Sequence, residues 1–221
     1  MLETVRTLLE PLRDPSRAAP MAAYMKNNFA FLGIPTPQRV AALKPMWKAW
    51  KPSRLEVLTL VGDLWAQAER EYQYAAFGAL ERHWTLLESD DLEDVCALVA
   101  TRKAWWDTID SVDGIAGLMV KRDPSLETLM DAFAVHDNVW LRRIAIQHQL
   151  GYGPSTDAER LFRYAVLNAA HESFWVRKSL GWALREYAKH DPDAVRAFFG
   201  EHRAKFSTLT VREALKHLEP R

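Results

Sequence analysis

The feature that most constrains this chain is a period of about 34 residues. Tyr72 opens YQYAAFGAL, Trp106 opens WDTIDSV, Trp140 opens WLRRIAIQHQL, Trp175 opens WVRKSLGWAL and Thr210 opens TVREALKHL, in steps of 34, 34, 35 and 35 residues. One step further back, Gln38 follows Pro37 at a helix start, where proline suits the first turn. Other apolar-periodic segments alternate with these openers: LETVRTLLEPL, LEVLTLVGDLWAQA, LEDVCALVA, SLETLMDAFAV, ERLFRYAVLNAA and DAVRAFFGEHRAKF. Strand signals are scarce, so the expected class is all-α and the repeating unit is a helix pair. A helix pair cannot bury its apolar stripe alone, and such pairs stack into a solenoid.

Val-Arg-x-x-Leu at the start of the second helix, as in VRKSL and VREAL, resembles HEAT repeats more than tetratricopeptide repeats. The sequence therefore predicts one HEAT-like domain over residues 1–221, with about six helix pairs, curved, and a concave face as the default binding surface. Three openers are followed two residues on by an arginine: Arg142, Arg177 and Arg212. That recurrence marks a structural role.

Composition narrows the setting. No apolar run approaches the ~20 residues that span a bilayer. The start, MLETVRTLLEPLRDPSR, lacks the basic and apolar regions of a signal peptide. The single cysteine, Cys96, sits among apolar neighbours and reads as a buried, inert thiol. A cytoplasmic monomer is expected. The seven histidines are scattered without ligand spacing, so neither a metal nor a cofactor is expected. Basic and acidic residues balance at 29 each, which gives no global argument for nucleic acid. The distribution is uneven, however: residues 51–100 hold four basic residues against ten acids, whereas residues 151–221 hold twelve against nine. A basic face is therefore compatible with neutrality.

The stretch AWWDTID breaks the register. Four residues after each opener stand Ala76, Asp110, Ile144, Ser179 and Ala214. One carboxylate occupies a slot otherwise small or apolar. It is either a cap or an ion pair with an arginine of the next repeat, or a charge kept for function. Because the slot is otherwise uncharged, Asp110→Asn is expected to be neutral or mildly stabilising to heat. Trp106 lies one helical turn before Asp110 on the same face. Trp140 and Trp175, at helix starts, read as packing. Trp182 lies two turns beyond Trp175 and follows Gly181, which is expected to open space beside the indole. Two indoles and a carboxylate suit a cationic ligand: a methylated base, a quaternary ammonium or a methyl-lysine.

Six segments, AAYMKNNFAFLGIPTPQR, REYQYAAFGAL, AWWDTIDSV, NVWLRRIAIQHQL, FWVRKSLGWALREYAKHDPDAV and LTVREALKHL, resemble the AlkD family of DNA alkylation repair glycosylases. They cover the chain from about residue 20 to the end in the family's order. The resemblance implies a curved stack of HEAT-like helix pairs holding duplex DNA in its concave face. It implies excision of positively charged alkylpurines such as 3-methyladenine and 7-methylguanine, as the first step of base excision repair, and so a place beside the bacterial nucleoid. Residue by residue it implies that Asp110 is the catalytic aspartate and that Trp106 and Trp182 contact the sugar. It further implies that Arg143 is the lesion-side arginine, expected to pin a phosphate, and that Tyr24 lies near the lesion.

The remaining motifs are less specific. FLGIPTPQR is a turn whose Arg39 is either a phosphate contact or part of a simple linker. KPMWKAWKPSR interleaves Lys44, Lys48, Lys51 and Arg54 with Trp47 and Trp50, a mixture that suits nucleic acid and that reads first as a solvated helix face. The competing function is a non-catalytic helical-repeat module binding DNA or protein, which zero net charge favours.

Overall fold

Helix starts along the chain are set by side chains that satisfy the first free backbone N–H groups. Asp14, Ser53, Asn138, Asp157, Ser173, Asp191 and Ser207 each accept from a backbone N–H two or three residues on. Ser53 and Glu56 form a reciprocal capping box. This computed structural model, which describes residues 1–218, holds thirteen α-helices, seven of which begin at these caps. They are α1 Leu2–Leu9, α2 Pro15–Tyr24, α3 Thr36–Ala49, α4 Arg54–Ala66, α5 Arg70–His83, α6 Ser89–Thr101, α7 Trp106–Arg122, α8 Glu127–Ala134, α9 Val139–Gln147, α10 Ala158–Leu167, α11 Phe174–Tyr187, α12 Pro192–His202 and α13 Thr208–Ala214. Among the described residues there is no strand, only an isolated bridge between Ala30 and Glu69. No helix among the described residues is long and apolar enough to cross a membrane.

The chain forms two compact units, Met1–Glu88 and Ser89–Arg221. In the first, α4 lies along α5, and α3 packs on α1 and α5. Trp47 turns inward while Lys44, Lys48 and Lys51 stay exposed. Helix α2 has no counterpart in the apolar periodicity. It buries no residue, and its start rests on Asp14 and Pro15 instead. The N-terminal part therefore holds three helices where the repeat predicts a pair.

In the second unit the expected pairs form: α6 on α7, α8 on α9 and α10 on α11. The opener-bearing helices α7, α9, α11 and α13 stack on one another in chain order, which is a solenoid arrangement. The slot four residues after the opener faces the core: Ile144, Ser179 and Ala214 are fully buried, as is Ala76 in the first unit. Arg142 and Arg177 share one job. Each donates from Nε to a histidine carbonyl just before its helix, His136 and His171 respectively. Gly181 differs from expectation. A Cβ there would lie 2.5 Å from Glu213 Cβ and 2.9 Å from the Thr210 carbonyl oxygen. The glycine lets α13 approach α11, and the space the sequence suggested beside Trp182 is filled. Cys96 is fully buried, and burial pushes its thiol up, away from the reactive thiolate.

Candidate functional site

The Asn138 cap fixes where α9 begins and so directs Arg143, in its second turn, towards α7. There it meets Asp110 in a two-pronged pair. Arg143 Nε donates to Asp110 Oδ1 at 2.7 Å, and Nη2 donates to Oδ2 at 2.9 Å. Nη1 donates to the Trp175 carbonyl of α11 at 2.9 Å. Three successive stacked helices are thereby tied through one guanidinium. The planar fork matches a carboxylate in a way that a lysine cannot.

Both Asp110 oxygens accept from Arg143, the two-pronged arrangement that suits an ionised carboxylate. Each oxygen keeps a further lone pair, because a carboxylate offers about four acceptor sites and the fork uses two. The Asp110 side chain is 15% exposed and that of Arg143 only 3%. The carboxylate is thus the accessible partner and the guanidinium the buried one. Burial pushes the Asp110 carboxyl up from its usual range, against the pull of Arg143.

Trp106 is the first residue of α7, half-buried and one turn before Asp110. The Trp182 ring on α11 lies 5.9 Å from the Arg143 guanidinium, measured to its centroid. Trp105, Trp140 and Trp175 pack together at the starts of α7, α9 and α11, with centroids 5.1–6.1 Å apart. The aromatic openers Trp140 and Trp175 are packing residues, as their position predicts. The structure thus gathers Asp110, Arg143 and Trp182, with Trp106 on the same helix as Asp110.

Two expected DNA contacts lie in the first unit. Tyr24 is the last residue of α2 and is 70% exposed. Arg39 is neither in a linker nor at the surface. It occupies the first turn of α3, buried, with its guanidinium 4.6 Å above the Tyr74 ring. A phosphate cannot reach a cation so enclosed in this conformation. The expectation for Arg143 shifts likewise: as seen here it grips a carboxylate and has almost no open surface for a phosphate.

Sequence reasoning passed over several buried polar residues. Glu71, fully buried, accepts from the N–H groups of Leu32, Gly33 and Ile34 at 2.9–3.0 Å. It thereby holds the segment that follows Tyr24. Gly33 in that segment has φ +90°, and a Cβ would lie 2.1 Å from the Asp14 carbonyl oxygen, so glycine is required. Asp113, one turn beyond Asp110, is buried as well, and Gln147 on α9 is fully covered. The available signal was register: both stand seven residues after an opener.

A family model described as DNA alkylation repair enzyme matches residues 5–218. A solved structure described as a predicted DNA alkylation repair enzyme from Enterococcus faecalis superposes with a TM-score of 0.87 at 30% identity. That match covers 95% of this chain and 98% of the other. No curated protein matches the chain.

Proposed function

The chain belongs to the DNA alkylation repair enzyme family, and from that premise we propose that it is a DNA glycosylase releasing cationic alkylpurines, such as 3-methyladenine and 7-methylguanine, from duplex DNA. The observation that carries this reading is the Asp110–Arg143 pair: an accessible carboxylate locked in place by a buried guanidinium, with the Trp182 ring beside Arg143 and Trp106 one turn before Asp110 on α7.

The chemistry matches what these groups supply. A purine alkylated at N3 or N7 carries a positive charge, so breaking its bond to C1′ releases a neutral base. The bonding electron pair leaves with the base, and no acid is needed to protonate it. Positive charge develops on the deoxyribose instead. Asp110 offsets that charge and orients the water that adds at C1′ and loses a proton to solvent. Trp106 and Trp182 present electron-rich faces that favour the same charge. Arg143 acts through Asp110 by fixing its orientation. Tyr24 is assigned a DNA contact, and Arg39, enclosed over Tyr74, is left out of the contact set. No pocket for an extruded base enters this scheme, unlike the usual strategy for enzymes acting on bases.

The test is incubation with methylated duplex DNA followed by chromatography of the released bases. Release of 3-methyladenine or 7-methylguanine, lost in Asp110→Asn, supports the reading. Binding without release leaves the non-catalytic DNA-binding module, which zero net charge also accommodates.

A further inference from the structure

Seven residues after the openers stand Ala79, Asp113, Gln147, Trp182 and His217. At two successive steps this slot holds a polar side chain enclosed in the protein. Asp113 is 4% exposed and Gln147 is fully covered. Among the described residues, Asp113 Oδ2 and both amide atoms of Gln147 have no hydrogen-bond partner. Orphaned buried polar atoms cost stability that an apolar residue would recover, so a use is called for.

Asp113 stands one turn beyond Asp110 on the same face of α7, and both Asp110 and Arg143 act on it electrostatically. The charged and titratable groups facing it are Asp110 on its own helix, Arg143 on α9 and Cys96 on α6. The 3₁₀ turn packed against α7, Pro124–Leu126, brings none. The Arg143 fork is engaged by Asp110 and the Trp175 carbonyl, so the buried Asp113 carboxyl feels the guanidinium's charge while Asp110 holds its bonds.

Resting on the glycosylase reading, we propose that Asp113 is a positioning residue for excision: as the neutral acid it leaves the whole Arg143 fork to Asp110, and as the anion it competes for that fork. With Asp113 neutral, the trio is one anion, one cation and one neutral acid, balanced at the depth of the α7–α9 core. With Asp113 ionised, one negative charge is uncompensated, and Arg143 lowers the energy by moving towards both carboxylates. Asp110 then loses the fixed orientation on which its effect depends. Burial and the charge of Asp110 push Asp113 up to about 8, against the pull of Arg143, so the neutral acid prevails at neutral pH.

The experiment is a pH profile of single-turnover 7-methylguanine release, with protein in excess over methylated duplex and enzyme-free release subtracted. Wild type should slow by about tenfold or more between about pH 7 and about pH 9.5, as the competent form is depleted. Asp113→Asn is isosteric with the neutral acid and should support excision at neutral pH and stay nearly flat over the same range. Parallel alkaline losses in both proteins, or an Asp113→Asn variant that folds and binds DNA yet is inactive at neutral pH, would overturn the proposal. A second readout needs no substrate: the NMR signal of the Arg143 Nε–H group should shift with a midpoint near pH 8 in wild type and stay fixed in Asp113→Asn. A signal indifferent to pH in both proteins overturns the proposal whatever the excision assay shows. A titrating Arg143 signal in a protein that releases no base overturns the role in excision through failure of the glycosylase reading, while the Asp113–Arg143 coupling stands.

Discussion

Asp110 and Glu213 are both carboxylates held by cations in the second unit, and they respond in opposite ways. Asp110 is gripped by Arg143 alone, and burial pushes its carboxyl up. Glu213 on α13 meets Lys178 at 2.8 Å and Arg185 at 2.9 Å, and the hydrogen bond from Lys178 leads in pulling its carboxyl down. Their side chains are almost equally accessible, at 15% and 14%. Exposed area therefore does not set the sign. Burial of Asp110 against the packed α7–α9 core outweighs the pull of its one cation, and the charge of Asp107 adds to the rise, whereas Glu213 has two cations to itself. A carboxylate that its surroundings disfavour, yet hold still, is suited to meeting a charge that arrives during a reaction. One that its surroundings favour is suited to holding helices together.

The largest expected effect is on excision by Asp110→Asn. Removing one preorganised electrostatic group costs roughly 100- to 1,000-fold in rate, read as base release under saturating protein. The same variant also tests the slot. The expectation that asparagine would be thermally neutral does not survive the structure, because Arg143 would be left buried against an amide. Breaking a buried pair from one side costs roughly 3–5 kcal/mol, so chemical denaturation should show a clear loss. An unchanged midpoint would mean that Arg143 escapes to solvent.

Next come the paired arginines. Arg143→Ala should abolish most excision and also destabilise, since it strands Asp110 and frees the Trp175 carbonyl. Arg142→Ala removes bonds to His136, Asn168 and Val135 and should destabilise without a matching loss of single-turnover excision in protein that remains folded. Equal losses in both assays for both variants would show that Arg143 has no special tie to the chemistry.

The pH dependence of stability separates the two regions by sign. Asp113 binds its proton more tightly folded than unfolded, so its favour to the fold is complete in acid and is lost as pH rises towards about 8. Glu213, held down, stabilises above the usual glutamate range and loses that contribution as pH falls through its folded value. Thermal scans should therefore show Asp113→Asn gaining on wild type from acid to mildly alkaline solution, and Glu213→Gln differing least from wild type in acid. The smallest effect expected is that of Glu213→Gln at neutral pH, about 1 kcal/mol or less, because Lys178 keeps more than a third of its side chain in water and Arg185 keeps its bond to the backbone carbonyl of residue 213. A loss as large as that of Asp110→Asn would erase the contrast between the two sites.

Much of this protein is legible in the sequence because its cause is local. The 34-residue period sets the order of helices from α3 to α13, with Asn138, Ser173 and Ser207 placing the starts of three opener helices. The register alone singles out Asp110 as a carboxylate in a packing slot and assigns Arg142 a structural task that the structure shows shared by Arg177. Helix α2 escaped because it buries nothing, so no apolar stripe announces it. What register could not decide is which way a side chain turns once helices pack. Arg39 could as well have faced water, and only the fold lays it over Tyr74. Arg142 and Arg143 are neighbours in sequence, yet one helical step of about 100° sends the first to the end of α8 and the second to Asp110 on α7. The depth of burial at Asp113, and hence the direction in which its proton is held, belongs to no residue alone. It comes from α6, α7 and α9 closing around one carboxyl group, and only the tertiary structure supplies that.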